Sequence, residues 1–266
     1  MKKFLAMAMA LAMVVSLASC GGKADKSSAS GSASGADSSS VTIQDGKLIM
    51  STNAQFPPYE MVADDGSLEG IDIEVAGLIA DKLGLELVVD DMDFDGSLLA
   101  VQNGKSDMVM AGVTADEERE KVMDFSDSYA NGIQVVIVKE GSDVTLDNLG
   151  EQLIGVQRGT TSNIYCVDDF GEDQVVAYDD GAVAVQSLMN GQVDCVVIDN
   201  APAKAYVAAN EGLTILDTEY ANENYAIGVN EGNTELLDAI NGALQELTEA
   251  GEVQKVIDKY IPADAE

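Results

Sequence analysis

Short apolar runs alternate with amphipathic stretches along the body of this chain. KLIMS, ELVVD and DMVMAG each have the length and apolar content of a buried strand. GSLLAVQNG has the pattern of a short helix that Gly104 closes. IDIEVAGLIADKLGL predicts a helix with one apolar face, formed by Ile71, Val75, Leu78, Ile79 and Leu83. This alternation predicts βα units and a mainly parallel α/β architecture.

One sequence pattern occurs twice in the chain. Residues 101–112 (VQNGKSDMVMAG) and 188–199 (LMNGQVDCVVID) share Asn-Gly-x-x-Asp followed by an apolar strand. Helix, cap and strand in this order are common in α/β proteins, so a single match would mean little. Together with the strand candidates IGVQ, QVVAY and LTILD, the repeat predicts two similar lobes.

Two apolar stretches flank the second of these lobes. They are residues 132–140 (GIQVVIVKE) and 224–232 (NYAIGVNEG). After them, residues 234–261 give two amphipathic helices without strands of their own. We therefore expect the chain to leave lobe 1, build lobe 2, return and finish against lobe 1. The expected bounds are 43–132 with 223–266 for lobe 1 and 133–222 for lobe 2, with two crossover strands and a cleft between the lobes.

The N-terminal segment predicts export. Residues 1–19 have a basic start, an apolar run and small residues, as a secretory signal has. Leu17-Ala18-Ser19-Cys20-Gly21 resembles the lipobox of bacterial lipoproteins, in which the cysteine is lipidated; the alternative is an ordinary signal with an incidental Cys20. A lipidated Cys20 would anchor the protein to the bacterial cell membrane from outside. Residues 20–42, rich in Ser, Gly and Ala, predict a flexible tether.

The charge balance excludes several kinds of partner. The chain has 47 acidic residues against 14 basic ones and no histidine, for a formal net charge of −33. This argues against binding nucleic acid and against lying on anionic lipid. Without histidine a transition-metal site is not expected. Cys166 and Cys195 are compatible with a disulfide or with two buried thiols.

Polar loops follow the predicted strands. Ligands of open α/β sheets bind beyond the carboxyl ends of strands, and those ends here carry AGVT, QRGTTS and DNAP. The first two offer hydroxyls and backbone N–H groups to an anion, and the third offers the carboxylate of Asp199 to a cation. A ligand with both charges would suit such a cleft.

The same segments carry a family resemblance. STNAQFPPYEM, GIDIEVAGLIADKLG, MDFDGSLLAVQNGKSDMVMAGVTADEEREKVMDFSDSY, IGVQRGTTSNIY and VDCVVIDNAPA, in this order over residues 45–262, together resemble the polar amino-acid binding proteins of ABC importers. The resemblance implies a two-lobed fold of the periplasmic-binding-protein type II, joined by two crossover strands. It also implies a monomer without a cofactor or metal, with a free amino acid and an ABC permease as partners.

The family pattern also implies residue roles. Arg119 would clamp the ligand α-carboxylate, supported by Gly112, Thr114 and the amide of Thr161. Asp199 would hold the α-ammonium. Phe56 and Phe94 would enclose the side chain, with Asn53 and Gln157 beside them, together with Ser97 and Ile198. Asn53 stands where members that bind cationic side chains commonly have an acid, so a neutral polar side chain is expected, with cystine or an acidic amino acid as the next choices.

Each role has a structural alternative. Arg119 could be a solvated helix arginine paired with its acidic neighbours, Asp199 could cap the following helix, and the two phenylalanines could be core. Arg158, the other arginine of the chain, is expected to be solvated at the cleft rim.

An enzyme on the same fold is the alternative function. Exported dehydratases that act on aromatic-amino-acid precursors share this fold, and they need a general acid or base above the leaving group. Glu60 is the acid that falls on a cleft loop, and the family motif itself contains it. A binding protein is therefore the preferred interpretation.

Overall fold

The computed structural model describes residues 41–217 and 219–261. The predicted signal peptide, Cys20 and nearly all of the predicted tether lie outside the described residues. Within the described part, no helix combines the length and the apolar character needed to cross a membrane.

The first sheet has five strands: β1 (Lys47–Thr52), β5 (Glu86–Asp91), β6 (Met108–Val109), β7 (Met123–Phe125) and β14 (Gly228–Asn230). Their order is β5-β1-β6-β14-β7. β1 runs parallel to β5 and β6, whereas β14 is antiparallel to β6 and β7. The predicted parallel core is therefore confirmed for β5, β1 and β6, and the returning chain adds an antiparallel edge.

The second sheet has six strands: β8 (Ala130–Lys139), β9 (Ile154–Gln157), β10 (Val175–Tyr178), β11 (Cys195–Asp199), β12 (Leu213–Ile215) and β13 (Ala221–Tyr225). The order is β10-β9-β11-β8-β12, and β13 also pairs with β8. β9 is parallel to β10 and β11, and β8 is antiparallel to its neighbours. The carboxyl ends of β9 and β11 thus lie at one edge, where the sequence places QRGTTS and DNAP.

A small third sheet, not predicted from the sequence, contains β2 (Gln55–Phe56), β3 (Glu60–Val62) and β4 (Leu68–Glu69). Its strands pair antiparallel in the order β2-β3-β4. Strands of two or three residues are too short to show a hydrophobic period, so the sequence pattern gives no sign of them. This sheet brings Phe56 and Glu60 to the cleft.

Three helices pack with the first sheet: α1 (Ile71–Leu83), α2 (Phe94–Gln102) and α6 (Thr234–Glu249). α7 (Glu252–Tyr260) packs on α1 and α6. Three pack with the second: α3 (Thr161–Phe170), α4 (Gly181–Met189) and α5 (Asn200–Ala209). Short 3-10 helices cover Arg119–Lys121, Leu146–Glu151 and Glu172–Gln174.

The amphipathic patterns explain how these helices pack. In α1, Ile71, Val75 and Ile79 are fully buried, and Leu78 and Leu83 are half-buried against the same core. α6 and α7 pack on α1, as expected for a chain that finishes against lobe 1.

Two crossover strands join the lobes. β8 and β13 lie side by side, with Ala130 opposite Tyr225. The second crossover was expected as one stretch over residues 224–232; in the structure β13 ends at Tyr225 in the second sheet and β14 begins at Gly228 in the first. The hinge is therefore a two-stranded ribbon, as expected. The exact lobe bounds given above remain predictions.

Cys166 and Cys195 are buried free thiols. Burial raises the pKa of each thiol to about 12. Of the two interpretations left open by the sequence, the structure shows the thiols.

Candidate functional site

A cavity lies where the carboxyl ends of strands from both sheets meet. Eight of the eleven residues predicted for the site line it, and the full lining is Asn53, Phe56, Glu60, Phe94, Ala111, Gly112, Arg119, Gln157, Thr160, Thr161 and Asp199. Its volume is about 20 Å³, which is room for a single water molecule. The two lobes are therefore closed against each other at this point.

Arg119 is buried at the start of its 3-10 helix, with 7% of its surface exposed. Its Nη1 donates to the carbonyl of Thr114 at 2.8 Å, and its Nη2 donates to the carbonyl of Gly159 at 3.1 Å. Its guanidinium carbon also lies 5.5 Å from the centre of the Phe94 ring. Burial lowers the pKa of Arg119. A buried, tightly held guanidinium of this kind differs from the solvated helix arginine that was the alternative.

The acidic neighbours of Arg119 divide into two groups. Glu117, Glu118 and Glu120 are exposed. Asp116 turns inward instead: its Oδ1 accepts from the backbone N–H of Arg119 at 2.9 Å, and its Oδ2 lies 3.4 Å from the Arg119 Nε. Asp116 therefore fixes the turn that presents the guanidinium.

Asp199 ends β11 on the opposite side of the cavity and is 7% exposed. It occupies the N-cap position of α5, but its side chain makes no capping bond. Its carboxylate instead accepts from the hydroxyl of Tyr225 and, at 2.8 Å, from Nε2 of Gln134. Burial and the neighbouring carboxylate of Glu223 raise the pKa of Asp199 to about 7.

Asn53 and Gln157 meet across the cleft. Gln157 Nε2 donates to Asn53 Oδ1 at 3.0 Å, and Asn53 Nδ2 donates to the carbonyl of Met92 at 2.8 Å. Two amides that can each donate and accept therefore face the same space from different lobes.

The backbone groups expected to meet an anion come from both lobes. Thr161 is the first residue of α3, and the first N–H groups of a helix have no partner within it. Gly112 has a positive φ of 55°, and a Cβ there would meet the Phe56 ring at 2.8 Å, so glycine is required. Thr114 lies outside the lining; it pairs with Tyr225 in a β-bridge and offers its carbonyl to Arg119.

Two further side chains expected to line the pocket lie elsewhere. The Ser97 hydroxyl donates to the carbonyl of Phe94 inside α2, at 2.7 Å. Ile198 packs next to Gly181 on the other side of β11. Neither belongs to the lining. Strand alternation turns Ile198 to the face of β11 opposite Asp199.

The two phenylalanines are both buried and both line the cavity. Phe94 lies beneath the guanidinium of Arg119, whereas Phe56 packs against Tyr59 with ring centres 5.8 Å apart. Arg158 is exposed at the rim, as predicted, where it donates to the carbonyl of Ala177.

Glu60 is fully buried and lines the cavity. Neither of its carboxyl oxygens has a hydrogen-bond partner among the described residues. Burial and the nearby carboxylate of Asp72 raise the pKa of Glu60 well above its usual value. Asp72 in turn accepts from the backbone N–H of Gly112 at 3.0 Å and from the hydroxyl of Tyr129 at 2.7 Å. Glu60 is therefore a buried carboxyl that holds its proton more tightly than usual and lines the ligand space.

Sequence reasoning missed the residues behind Asp199. Gln134 on β8 and Glu223 on β13 are both buried, and the Gln134 amide donates hydrogen bonds to the carboxylates of Asp199 and Glu223. For Gln134 a signal was available, because it is a polar residue inside the apolar stretch 132–140 and a buried strand should not contain one without a partner. Glu223 lies just before the second stretch and carries no such signal.

Comparison with known proteins agrees with this geometry. Residues 48–263 match the model of a family described as bacterial extracellular solute-binding proteins, family 3. The chain is 31% identical over 270 residues to the arginine-binding extracellular protein ArtP of Bacillus subtilis (strain 168), covering 99% of this chain and 100% of that protein.

Two solved structures are also similar. An ancestral arginine-binding protein bound to glutamine has a TM-score of 0.78 and 41% identity, covering 83% of this chain and 99% of that one. An ancestral arginine-binding protein bound to arginine has a TM-score of 0.76 and 42% identity, covering 81% and 98%.

Proposed function

We propose that this chain, which belongs to the bacterial extracellular solute-binding proteins of family 3, captures a free amino acid in this cleft. It then delivers the amino acid to the permease of an ABC importer. One observation carries the proposal: the buried guanidinium of Arg119 and the buried carboxylate of Asp199 line the same cavity. Opposite charges that line one enclosed cavity suit the carboxylate and ammonium of a zwitterion.

The chain is not an enzyme, because its family and its similar proteins are binding proteins. The dehydratase alternative is therefore set aside. Glu60, the acid on which that alternative depended, is treated below as a ligand contact.

In the proposed complex, Arg119 binds the α-carboxylate, with the Thr161 amide approaching from the other lobe and Gly112 and Thr114 completing the site. Asp199 binds the α-ammonium. Each charge-assisted hydrogen bond of this kind contributes about 1.5 to 3 kcal/mol. Lysine would not replace the arginine, because a planar fork matches the two oxygens of a carboxylate.

Capture proceeds by hinge closure. The hydrogen bonds from Arg119 to Gly159 and from Gln157 to Asn53 both join groups on opposite lobes. An amino acid needs far more than the 20 Å³ enclosed here, so entry requires the lobes to separate about β8 and β13. A ligand that bridges the lobes then favours the closed form.

For the ligand side chain we propose a neutral polar group. Asn53 and Gln157 carry amide groups that can both donate and accept, and they line the cavity beside the Glu60 carboxyl. An ancestral protein similar to this chain was solved with glutamine.

A cationic side chain is the second candidate, and Glu60 is the observation that favours it. A buried carboxyl without a partner would ionise next to an ammonium or guanidinium. A similar ancestral protein was solved with arginine. The two candidates differ in protons: a cationic ligand releases the Glu60 proton, and a neutral ligand leaves it in place.

The test is a thermal-shift screen of the purified protein against the twenty amino acids, cystine and ornithine. A ligand that binds the folded state raises the melting temperature with its concentration. The matched pair of variants is Arg119→Ala and Arg158→Ala, since these are the chain's two arginines and only the first is buried. We expect a hit that Arg119→Ala abolishes and Arg158→Ala keeps; no hit from any α-amino acid would contradict the proposal.

A hit is then followed by calorimetry in buffers of different ionisation enthalpy. Asp199 releases a proton for either kind of ligand near its pKa of about 7, so the count is compared with that of Glu60→Gln. Release that is smaller in Glu60→Gln would identify a cationic side chain, and equal release a neutral one.

The family consists of extracellular binding proteins, and an extracytoplasmic location of this chain agrees with that description. We propose that lipidated Cys20 anchors the protein to the bacterial membrane, that residues 20–42 tether it, and that it acts as a monomer with the lobe bounds given above. Membrane fractionation of a Cys20→Ala variant tests the anchor, because the variant should leave the membrane fraction.

A further inference from the structure

Two buried carboxylates share one amide behind the cleft. Gln134 Nε2 donates to Asp199 Oδ2 at 2.8 Å and to Glu223 Oε2 at 2.9 Å. Gln134 has no exposed surface, and Glu223 is 5% exposed. Like charges at short range repel, so placing two acidic side chains at one buried amide is unfavourable for the folded protein.

The other end of the Gln134 amide is also fixed. Its Oε1 accepts from the hydroxyl of Ser162 at 2.6 Å. Ser162 lies in the first turn of α3, next to Thr161. Turning the amide over would point its oxygen at two carboxylates, so the orientation is determined. A hinge-strand residue thus connects the ammonium side of the site to the carboxylate side.

Other ionisable groups face this pair. Those near Asp199 are Tyr225, Tyr59, Glu60 and Lys204, and those near Glu223 are Arg119 and Tyr165. Lys204 is in α5 and lines the neighbouring hinge cavity together with Asp199. Tyr225 and Gln134, which both donate hydrogen bonds to the Asp199 side chain, are neutral.

We propose that Glu223, acting with Gln134, is a positioning residue that holds Asp199 for the ligand ammonium and makes amino-acid capture weaken as the medium becomes acidic. This inference rests on the proposed function. A second negative charge strengthens attraction of the ammonium while Asp199 is ionised. The same charge makes Asp199 take up a proton at a higher pH, and a protonated Asp199 no longer attracts the ammonium.

Burial and Glu223 together raise the pKa of Asp199 to about 7. Affinity should therefore fall as pH drops below about 7. Replacing Glu223 by its neutral isostere removes one of these two causes, so the fall should begin at a lower pH.

The experiment compares Glu223→Gln with Glu219→Gln. Glu219 is exposed and lies four residues earlier, so its variant loses the same charge without touching the network. Two quantities are measured from about pH 5 to 8.5: the ¹³C carboxyl titration of Asp199 in protein without ligand, assigned with Asp199→Asn, and the dissociation constants of L-glutamine and L-arginine.

We expect the Asp199 midpoint to fall by about one pH unit or more in Glu223→Gln only. Each unit changes affinity about tenfold at a pH below both midpoints. The two affinity profiles should cross, because the variant binds more weakly near pH 8 and more tightly near pH 5. A merely structural defect would weaken binding at every pH without a crossing.

An unchanged Asp199 midpoint in Glu223→Gln, or parallel affinity profiles, would overturn the inference. If no α-amino acid of the thermal-shift screen bound the unsubstituted protein, the proposed function would lose its support, while the carboxyl titration would still decide whether Glu223 acts on Asp199.

Discussion

The guanidinium of Arg119 reaches across the cleft to the carbonyl of Gly159, with Nη2 and the carbonyl oxygen 3.1 Å apart. Its other terminal nitrogen is bonded to the carbonyl of Thr114. A ligand carboxylate that takes both nitrogens must replace these two carbonyls, which are neutral acceptors. Charge-assisted bonds are about twice as strong as neutral ones, so the exchange favours the ligand.

Substituting Arg119 by lysine should weaken amino-acid binding by about tenfold to a hundredfold, because the ammonium makes one good contact where the fork makes two. Arg158→Lys, at the exposed rim, should leave affinity unchanged. Titration calorimetry with the ligand found in the screen measures both. Equal affinities of the two variants would show that Arg119 does not hold the carboxylate.

Closure can be tested at Gly159. A Cβ there would lie 1.7 Å from Oδ1 of Asp95, which belongs to the other lobe, and the residue has a φ of 74°. Gly159→Ala should therefore oppose closure and lower affinity about tenfold or more.

Gly171→Ala is the matched control. Gly171 also has a positive φ, of 87°, but a Cβ there would meet nothing within 4 Å. Both variants should lose similar stability, and only Gly159→Ala should lose affinity and remain extended in small-angle scattering with ligand present. Unimpaired compaction of Gly159→Ala would mean that this contact is not part of the closed state.

The Glu60 side chain should affect the affinity for cationic ligands much more than the affinity for neutral ones. Glu60→Gln keeps the shape of a protonated carboxyl but cannot ionise, so glutamine should bind within a few-fold of its original affinity. Arginine should lose about a hundredfold, because its guanidinium would be buried without a counter-charge. Equal losses for both amino acids, measured by calorimetry, would show that Glu60 does not contact the side chain.

The sequence predicts the parts of the site that stand at strand ends. Asp199 is the carboxylate of its strand-end loop, and strand ends meet at one edge by topology. The role of Arg119 was implied by the family resemblance instead. Asp116 could not be separated from its exposed neighbours, because its inward turn depends on a local hydrogen bond to the backbone of Arg119. Gln134 and Glu223 become partners only through the tertiary pairing of β8 and β13, which has no local signal.

The buried carboxyls should also make stability depend on pH. The pKa of Asp199 is raised from 3.8 to about 7, and that of Asp72 to about 6, in both cases mainly by burial. A carboxyl with a raised pKa binds its proton more tightly in the folded state. Its contribution to stability is full below about pH 3.8 and is lost as the pH rises through the folded-state pKa.

Without ligand, the protein should therefore lose stability between about pH 4 and 7.5 through these groups. Asp199→Asn removes one of them, so it should flatten this fall and be more stable than the unsubstituted protein at pH 8, by an amount on the order of a few kcal/mol. It should also lose amino-acid binding, which separates stability from function at one residue. Asp127→Asn, at an exposed position, is the control. Urea unfolding at several pH values measures both, and an unchanged pH slope in Asp199→Asn would show that Asp199 titrates alike in the folded and unfolded chain.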